Sequence, residues 1–167
     1  MKRRAFVLLL GIVPFICIQQ SHAAGQLAQS WHTEAGWLTE LRVHPDGAKV
    51  CTTGKASNTP HSFGITFIRS GSENAVLLAD EVQPPQPATA TDMTFMQDSK
   101  NRGTLKVQVA GPAWISADPN GPQAKTLISK LAPGPLTISV AGRQYETDLT
   151  GLPQALAQLD SCVQAAG

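Results

Sequence analysis

Residues 91–109, TDMTFMQDSKNRGTLKVQV, contain the pattern that identifies the fold class of this chain. Apolar residues alternate with polar ones on both sides of the polar segment 98–103, at Met93 and Phe95 before it and at Leu105, Val107 and Val109 after it. A period of two directs one row of side chains into a core and the other into water, as in a half-buried strand. The two runs therefore predict an antiparallel β-hairpin.

Similar short runs follow one another from Gly36 onward, separated by Gly, Pro, Asn and Asp. They predict further strands at 37–43, 49–53, 63–67, 75–78, 114–115, 136–140 and 145–149. Residues 26–35 have no strong period, which predicts a polar lead-in, either a turn of helix or a loose arm. Three prolines within 83–91 lack the N–H group that a sheet needs, so we expect an extended surface crossover there.

Two segments have helical spacing. Residues 125–131 predict a short helix ended by Pro133-Gly134-Pro135. The stronger helix begins near Pro153, which suits a first helical position, and it carries one apolar stripe: Leu152, Ala155, Leu156, Leu159, Cys162 and Val163. The predicted fold is mainly β, an antiparallel β-sandwich or flattened barrel of about seven strands with a C-terminal α-helix.

The first 23 residues have the pattern of a cleaved Sec-type signal peptide. A basic start at residues 2–4 precedes an apolar run over 6–18, too short to span a bilayer, and small residues precede a cut near Ala23. Phe15 and Ile16 before Cys17 are too large for a lipid-anchor site. We therefore expect export to the periplasm or secretion, no stable membrane anchor, and one β-rich domain over 24–167.

Export decides what the other two cysteines do. Cys51 and Cys162 are an even pair in an oxidising compartment, and neither belongs to a CxxC motif or has a nearby histidine. The direct interpretation is one disulfide that pins the terminal helix to the strand holding Cys51.

Charge and motifs remove several classes of function. Three of the 13 basic residues are removed with the signal, so the mature chain has ten basic and 12 acidic residues. They form no basic stripe that would bind nucleic acid. The chain has no G-x-S-x-G, H-E-x-x-H or G-x-G-x-x-G pattern, and Ser70-Gly71-Ser72 lies between two predicted strands as a turn. We expect no cofactor, no metal and no enzymatic activity.

Two alternatives stay open. An envelope hydrolase could assemble its site in space from His32, His44 and His61 with the carboxylates Glu40, Asp46, Asp80, Glu81, Glu146 and Asp148. A small-ligand binder would need a cavity of a few hundred Å³ inside the β domain, which a sequence does not reveal.

Four residues are candidates for a contact surface. Trp31 stands outside the strand pattern and Trp114 sits beside the Gly111-Pro112 break, although a loop tryptophan can also cap a core. Pro84 and Pro85 lie in the proline-rich crossover.

The end of the chain resembles a known family. A strand over 136–140, a strand ending Asp148-Leu149-Thr150-Gly151 and an Ala-Leu helix over 155–159 are similar to the end of invasion-associated locus B-like proteins of proteobacteria. Trp37 ahead of Cys51 is similar to that family's early tryptophan and cysteine. The resemblance implies a non-enzymatic periplasmic β-sandwich and brings no catalytic residue with it.

Together these observations predict a non-catalytic periplasmic protein that binds another envelope protein, as an accessory subunit, an inhibitor or an immunity-type partner. The partner itself and the oligomeric state are left open by the sequence.

Overall fold

The computed structural model describes residues 25–56, 63–83, 85, 90–118 and 120–167. Within these residues the chain forms ten strands and two helices. The strands are β1 (Gln26–His32), β2 (Leu38–Val43), β3 (Lys49–Ala56), β4 (Phe63–Ser70), β5 (Glu73–Asp80), β6 (Thr91–Gln97), β7 (Lys100–Ala110), β8 (Ala113–Ser116), β9 (Pro135–Val140) and β10 (Arg143–Asp148). The helices are α1 (Pro122–Lys130) and α2 (Leu152–Ala166).

All ten strands belong to one antiparallel sheet in the order β1-β2-β3-β4-β5-β8-β7-β6-β9-β10. The sheet curls over its own inner face without closing, so β10 lies opposite β4, where the rings of Tyr145 and Phe63 meet edge to face with centroids 5.1 Å apart. The prediction of a mainly β, antiparallel fold with a C-terminal helix is confirmed. The hairpin over 91–109 is β6 and β7.

The core fills the inside of this curled sheet. The alternation in β4 buries Phe63, Ile65 and Phe67, and that in β9 buries Leu136, Ile138 and Val140. These rows meet the buried side chains of both helices in one hydrophobic cluster. At roughly 25 cal/mol for each Å² removed from water, such burial is the main favourable contribution to folding.

Helix α2 closes the inner face over β2 and β3. It begins after Gly151, which has a positive φ of 84°, and it buries Leu152, Ala155, Leu159 and Cys162. Cys162 forms the predicted disulfide with Cys51 of β3, with Cα atoms 6.0 Å apart. The apolar stripe and the covalent bond therefore hold the helix on the same strand. Neither α1 nor α2 is both long and apolar enough for a membrane crossing, a statement that covers the described residues.

The count of strands differs from the prediction of about seven. Residues 26–32 form β1, so the predicted polar lead-in is wrong over this segment. Almost all side chains of β1 are exposed, so the segment has no hydrophobic period from which a strand could be predicted. The strand is held by backbone pairing to β2.

The crossover after β5 carries the chain past β8 and β7, which lie between β5 and β6 in the sheet. Pro85 is buried, so the prediction of a surface segment is wrong at that residue. Pro84, His61 and the predicted signal peptide at 1–23 lie outside the described residues.

Candidate functional site

A buried carboxylate lies where β5 and β10 approach each other inside the sheet. Asp80 ends β5 and is only 4% exposed. Its Oδ2 accepts a 2.7 Å hydrogen bond from the Tyr145 hydroxyl group, and its Oδ1 accepts one of 2.7 Å from the backbone N–H of Gln83. A buried carboxylate is costly unless such partners replace water, and here both oxygens have one.

Arg143 supplies the opposite charge. Its Nη1 lies 3.5 Å from Asp80 Oδ2 and donates to the backbone carbonyl of Gln83. The guanidinium group also stands over the Trp114 ring, 5.5 Å from its centroid, at a distance that favours a cation–π interaction. Arg143 therefore ties β10 to the segment that follows β5 and to β8.

The environment of Tyr145 shifts its acidity. Burial raises the pKa of the Tyr145 hydroxyl above its usual value, and the Asp80 carboxylate raises it further, whereas Arg143 lowers it. The hydroxyl group therefore stays protonated near neutral pH and acts as a hydrogen-bond donor.

These three residues border an open recess of about 480 Å³. Its lining residues are Phe63, Asp80, Gln83, Arg143, Gln144, Tyr145 and Glu146. Because one Asp80 oxygen accepts from the Tyr145 hydroxyl group and the other from the Gln83 N–H, the arrangement has the properties of a structural tie between strands.

The sequence predicts Asp80 at a strand exit beside Glu81, but it does not predict the buried network of Asp80, Tyr145 and Arg143. A signal was present, because Asp80 follows Val76 and Leu78 at the two-residue spacing of a buried row. A carboxylate in such a row requires a buried partner. The sequence pattern does not identify that partner, because Tyr145 lies 65 positions away in the chain.

The residues of the hydrolase alternative are divided between separate places in the described part of the chain: Asp80 and Glu146 line the recess just described, and His32 and Glu40 line another recess. His32 is exposed at the end of β1, and His44 opens the turn after β2. Glu40 forms an ion pair with Arg42 at 3.0 Å, and Asp46 accepts a hydrogen bond from the Ala48 N–H within its own turn. The described residues contain no group of three His, Cys, Asp or Glu side chains placed to hold a metal ion.

The two candidate tryptophans have different positions. Trp114 lies on β8 and is 2% exposed, with its ring 5.9 Å from that of Tyr145, so its assignment to a contact surface is wrong. The ring belongs to the core because β8 lies between β5 and β7. Pro85 is buried too, and the same assignment is wrong there. Trp31 is half-buried on edge strand β1 and packs against the core cluster.

The outer side of the sheet shows a second feature, which we call the uncharged face. It consists of half-buried, outward-facing residues on β3, β4, β5 and β8: Val50, Thr52, Gly54, Gly64, Thr66, Ile68, Leu77, Ala79 and Ile115. The sheet register makes them contiguous, because Thr66 is opposite both Gly54 and Leu77, and Leu77 is opposite Ile115. None of the nine carries a charge.

The outer side of the other half of the sheet is polar. Lys106 of β7 forms a 2.7 Å ion pair with Asp92 of β6, and Thr94 lies opposite Thr104 with hydroxyl oxygens 3.2 Å apart. Glu146 of β10 is exposed beside Thr137 of β9. Charged side chains thus lie among the strands of this half, whereas on the outer side of β2 to β5 they lie at the border of the uncharged face, at Glu40, Arg42 and Glu73.

This chain matches no protein-family model, no curated protein and no solved structure. The resemblance to invasion-associated locus B-like proteins therefore stays a prediction.

Proposed function

We propose that this protein is a non-catalytic, exported domain that binds another protein of the cell envelope through the uncharged face. The single observation that carries the proposal is the contrast in charge between this face and the polar half of the outer sheet surface. The centres of protein–protein interfaces are depleted in charged residues, and a contiguous apolar patch on a single chain marks an interaction site. At the border of the face, Glu40 and Arg42 of β2 form an ion pair beside Thr52, as in the polar rim of an interface.

The shape of the surface supports the same function. A Cβ atom on Gly54 would lie 2.7 Å from Thr66 Oγ1, so the glycine lets the neighbouring strand pack without a side chain between them. The centre of the uncharged face is therefore low, with Leu77 and Ile115 beside it. A sheet face with a shallow, uncharged centre suits a protein surface as partner, in the role of an accessory subunit, an inhibitor or an immunity-type protein.

The experiment compares two threonine-to-lysine variants of the full chain. Thr66→Lys puts a charge at the centre of the uncharged face, and Thr137→Lys puts one on the polar half, beside Glu146. Crosslinking in the cell envelope followed by capture should identify a protein bound by the unmodified chain. With that protein purified, calorimetry should show at least a tenfold weaker affinity for Thr66→Lys and an unchanged affinity for Thr137→Lys.

Urea unfolding of both variants shows whether each has folded. Equal affinity of the two folded variants for the purified partner would contradict the proposal. So would the failure to capture any specific protein with the unmodified chain.

The recess beside Asp80 favours a second candidate, the binding of a small ligand. Its volume of about 480 Å³ is within the range of ligand sites, and Gln144 and Glu146 add exposed polar groups at its rim. A screen of small polar metabolites by thermal shift, repeated with Arg143→Ala, tests this function. Stabilisation that the variant abolishes would support it.

A further inference from the structure

The two edges of the sheet differ in how they are protected. Strand β1 pairs on one side only, with β2, so alternate backbone N–H and C=O groups along it point away from its neighbour. Its residues Gln26–Ser30 and His32 are exposed, and the strand contains no Pro, Lys or acidic residue. In the described part of the chain this edge strand has none of the charges and prolines that commonly prevent edge-to-edge pairing, although its register with β2 shifts between Leu27 and Gln29.

The strand at the opposite edge, β10, has charged side chains that disfavour pairing with another strand. Strand β10 carries Arg143, Glu146 and Asp148, and the ammonium group of Lys55 donates a 2.8 Å hydrogen bond to the Asp148 carbonyl. A second strand arriving there would meet charges and an occupied backbone acceptor. The contrast singles out β1 as the edge that accepts a strand.

We propose that β1 pairs with β1 of a second copy of this chain, in antiparallel orientation around a two-fold axis. Such an axis pairs the same strand with itself, so a charge at the axis would face its own copy and a charge elsewhere on the strand would lie near a like charge. From Gln26 to Trp31 there is no charged residue, so self-pairing meets no repulsion there. This is the observation that favours a second copy over a partner of opposite charge.

The register of β1 with β2 limits the axis to the regular part of the strand, and we place the axis at Ser30. The register with β2 shifts between Leu27 and Gln29, so the regular part of the strand is Gln29–His32. An axis at Ser30 places Gln29 opposite Trp31 of the second copy. The half-buried Trp31 ring would then be covered, as would part of Leu27, which is 47% exposed. The uncharged face does not take part in this contact, so dimer formation is independent of the proposed function.

Two charged variants of the full chain, Ser30→Lys and Ser30→Glu, test whether the dimer forms through β1. The unmodified protein should sediment as a dimer, whereas Ser30→Lys and Ser30→Glu should each sediment as a monomer, because two like charges meet at the axis. An equal mixture of the two variants should restore the dimer, since opposite charges then meet. Gln144→Lys, an exposed substitution on β10, is the control and should remain dimeric.

A monomer for the unmodified protein at concentrations up to about 1 mM, where even a weakly associating pair is populated, would overturn the proposal. Persistence of the dimer in both Ser30 variants would overturn it as well. If either charge variant fails to fold, Ser30→Cys gives a separate measurement. That variant should crosslink to itself across the axis under mild oxidation, and Gln144→Cys should not; crosslinking of neither or of both would contradict the placement at β1.

Discussion

The Tyr145 hydroxyl group and the Asp80 carboxylate, 65 positions apart in the chain, are joined by a buried 2.7 Å hydrogen bond. The bond connects β10 to β5 across the inside of the curled sheet, although β8, β7, β6 and β9 lie between these two strands in the sheet order. It is thus a tertiary contact between two parts of one sheet that the backbone ladder does not join directly.

Replacing Tyr145 by phenylalanine tests this tie. Tyr145→Phe keeps the ring against Phe63 and removes the donor to Asp80, which is 4% exposed. A buried acceptor that loses its partner costs about 1–3 kcal/mol. We expect the free energy of unfolding in urea to fall by that amount. A change within the error of the measurement would show that water replaces the hydroxyl group.

The raised pKa of Tyr145 predicts a loss of stability in alkali. Burial and Asp80 raise the folded pKa above that of the unfolded chain, so the folded state holds its proton more tightly. The contribution is complete below the unfolded pKa of about 10 and is lost as pH rises through the folded pKa. Because this is the chain's single tyrosine, its phenolate absorbance follows the titration directly. Tyr145→Phe should lack this part of the pH dependence, and identical alkaline profiles for both proteins would contradict the prediction.

Removal of the disulfide should loosen α2 from the sheet. In the double variant Cys51→Ala, Cys162→Ala the unfolded chain loses a tie across 111 positions. The chain-entropy account gives a destabilisation of roughly 4 to 5 kcal/mol, and removal of a native disulfide typically costs about 2–5 kcal/mol. Urea unfolding with and without reductant measures it. Reductant should destabilise the unmodified protein and leave the variant unchanged; equal stability of the two without reductant would contradict the prediction.

Gly151 at the start of α2 should not tolerate a side chain. Its φ is +84°, and an added Cβ would overlap the side chain of Ala35 and approach Trp37 Cδ1 to 3.3 Å. Gly47 has nearly the same φ, +83°, but open space around it. Gly47→Ala should therefore cost only the backbone term, about 1–2 kcal/mol, and Gly151→Ala clearly more. Thermal unfolding of both variants compares them, and an equal loss would show that the overlap relaxes freely.

Much of the fold was predictable because alternation marks which side chains are buried. The rows in β4, β7 and β9 were recognisable in this way, as was the stripe of α2 with Cys162 on it. The disulfide followed from the number of cysteines outside the predicted signal. Strand β1 was missed because its side chains remain in water, so that only backbone pairing marks it.

The candidate sites depended on pairing that no local pattern contains. Trp114, beside Gly111-Pro112, was a candidate for a contact surface, yet it is buried because β8 lies between β5 and β7. Likewise, the uncharged face exists only because β3, β4, β5 and β8 are neighbours.

The amino-acid order was enough to establish the strand and helix periods, the cysteine pair and the overall β class, since each depends on residues close together in the chain or on a simple count. The folded molecule was needed to show which strands are neighbours, how the sheet curls to bring Tyr145 to Asp80, which edge strand carries no acidic or basic residue, and where uncharged outward side chains become contiguous. The physical reason is that a period of two tells which residues share a side of a strand. It does not tell which strand lies next to it, because almost any strand can form backbone hydrogen bonds with another.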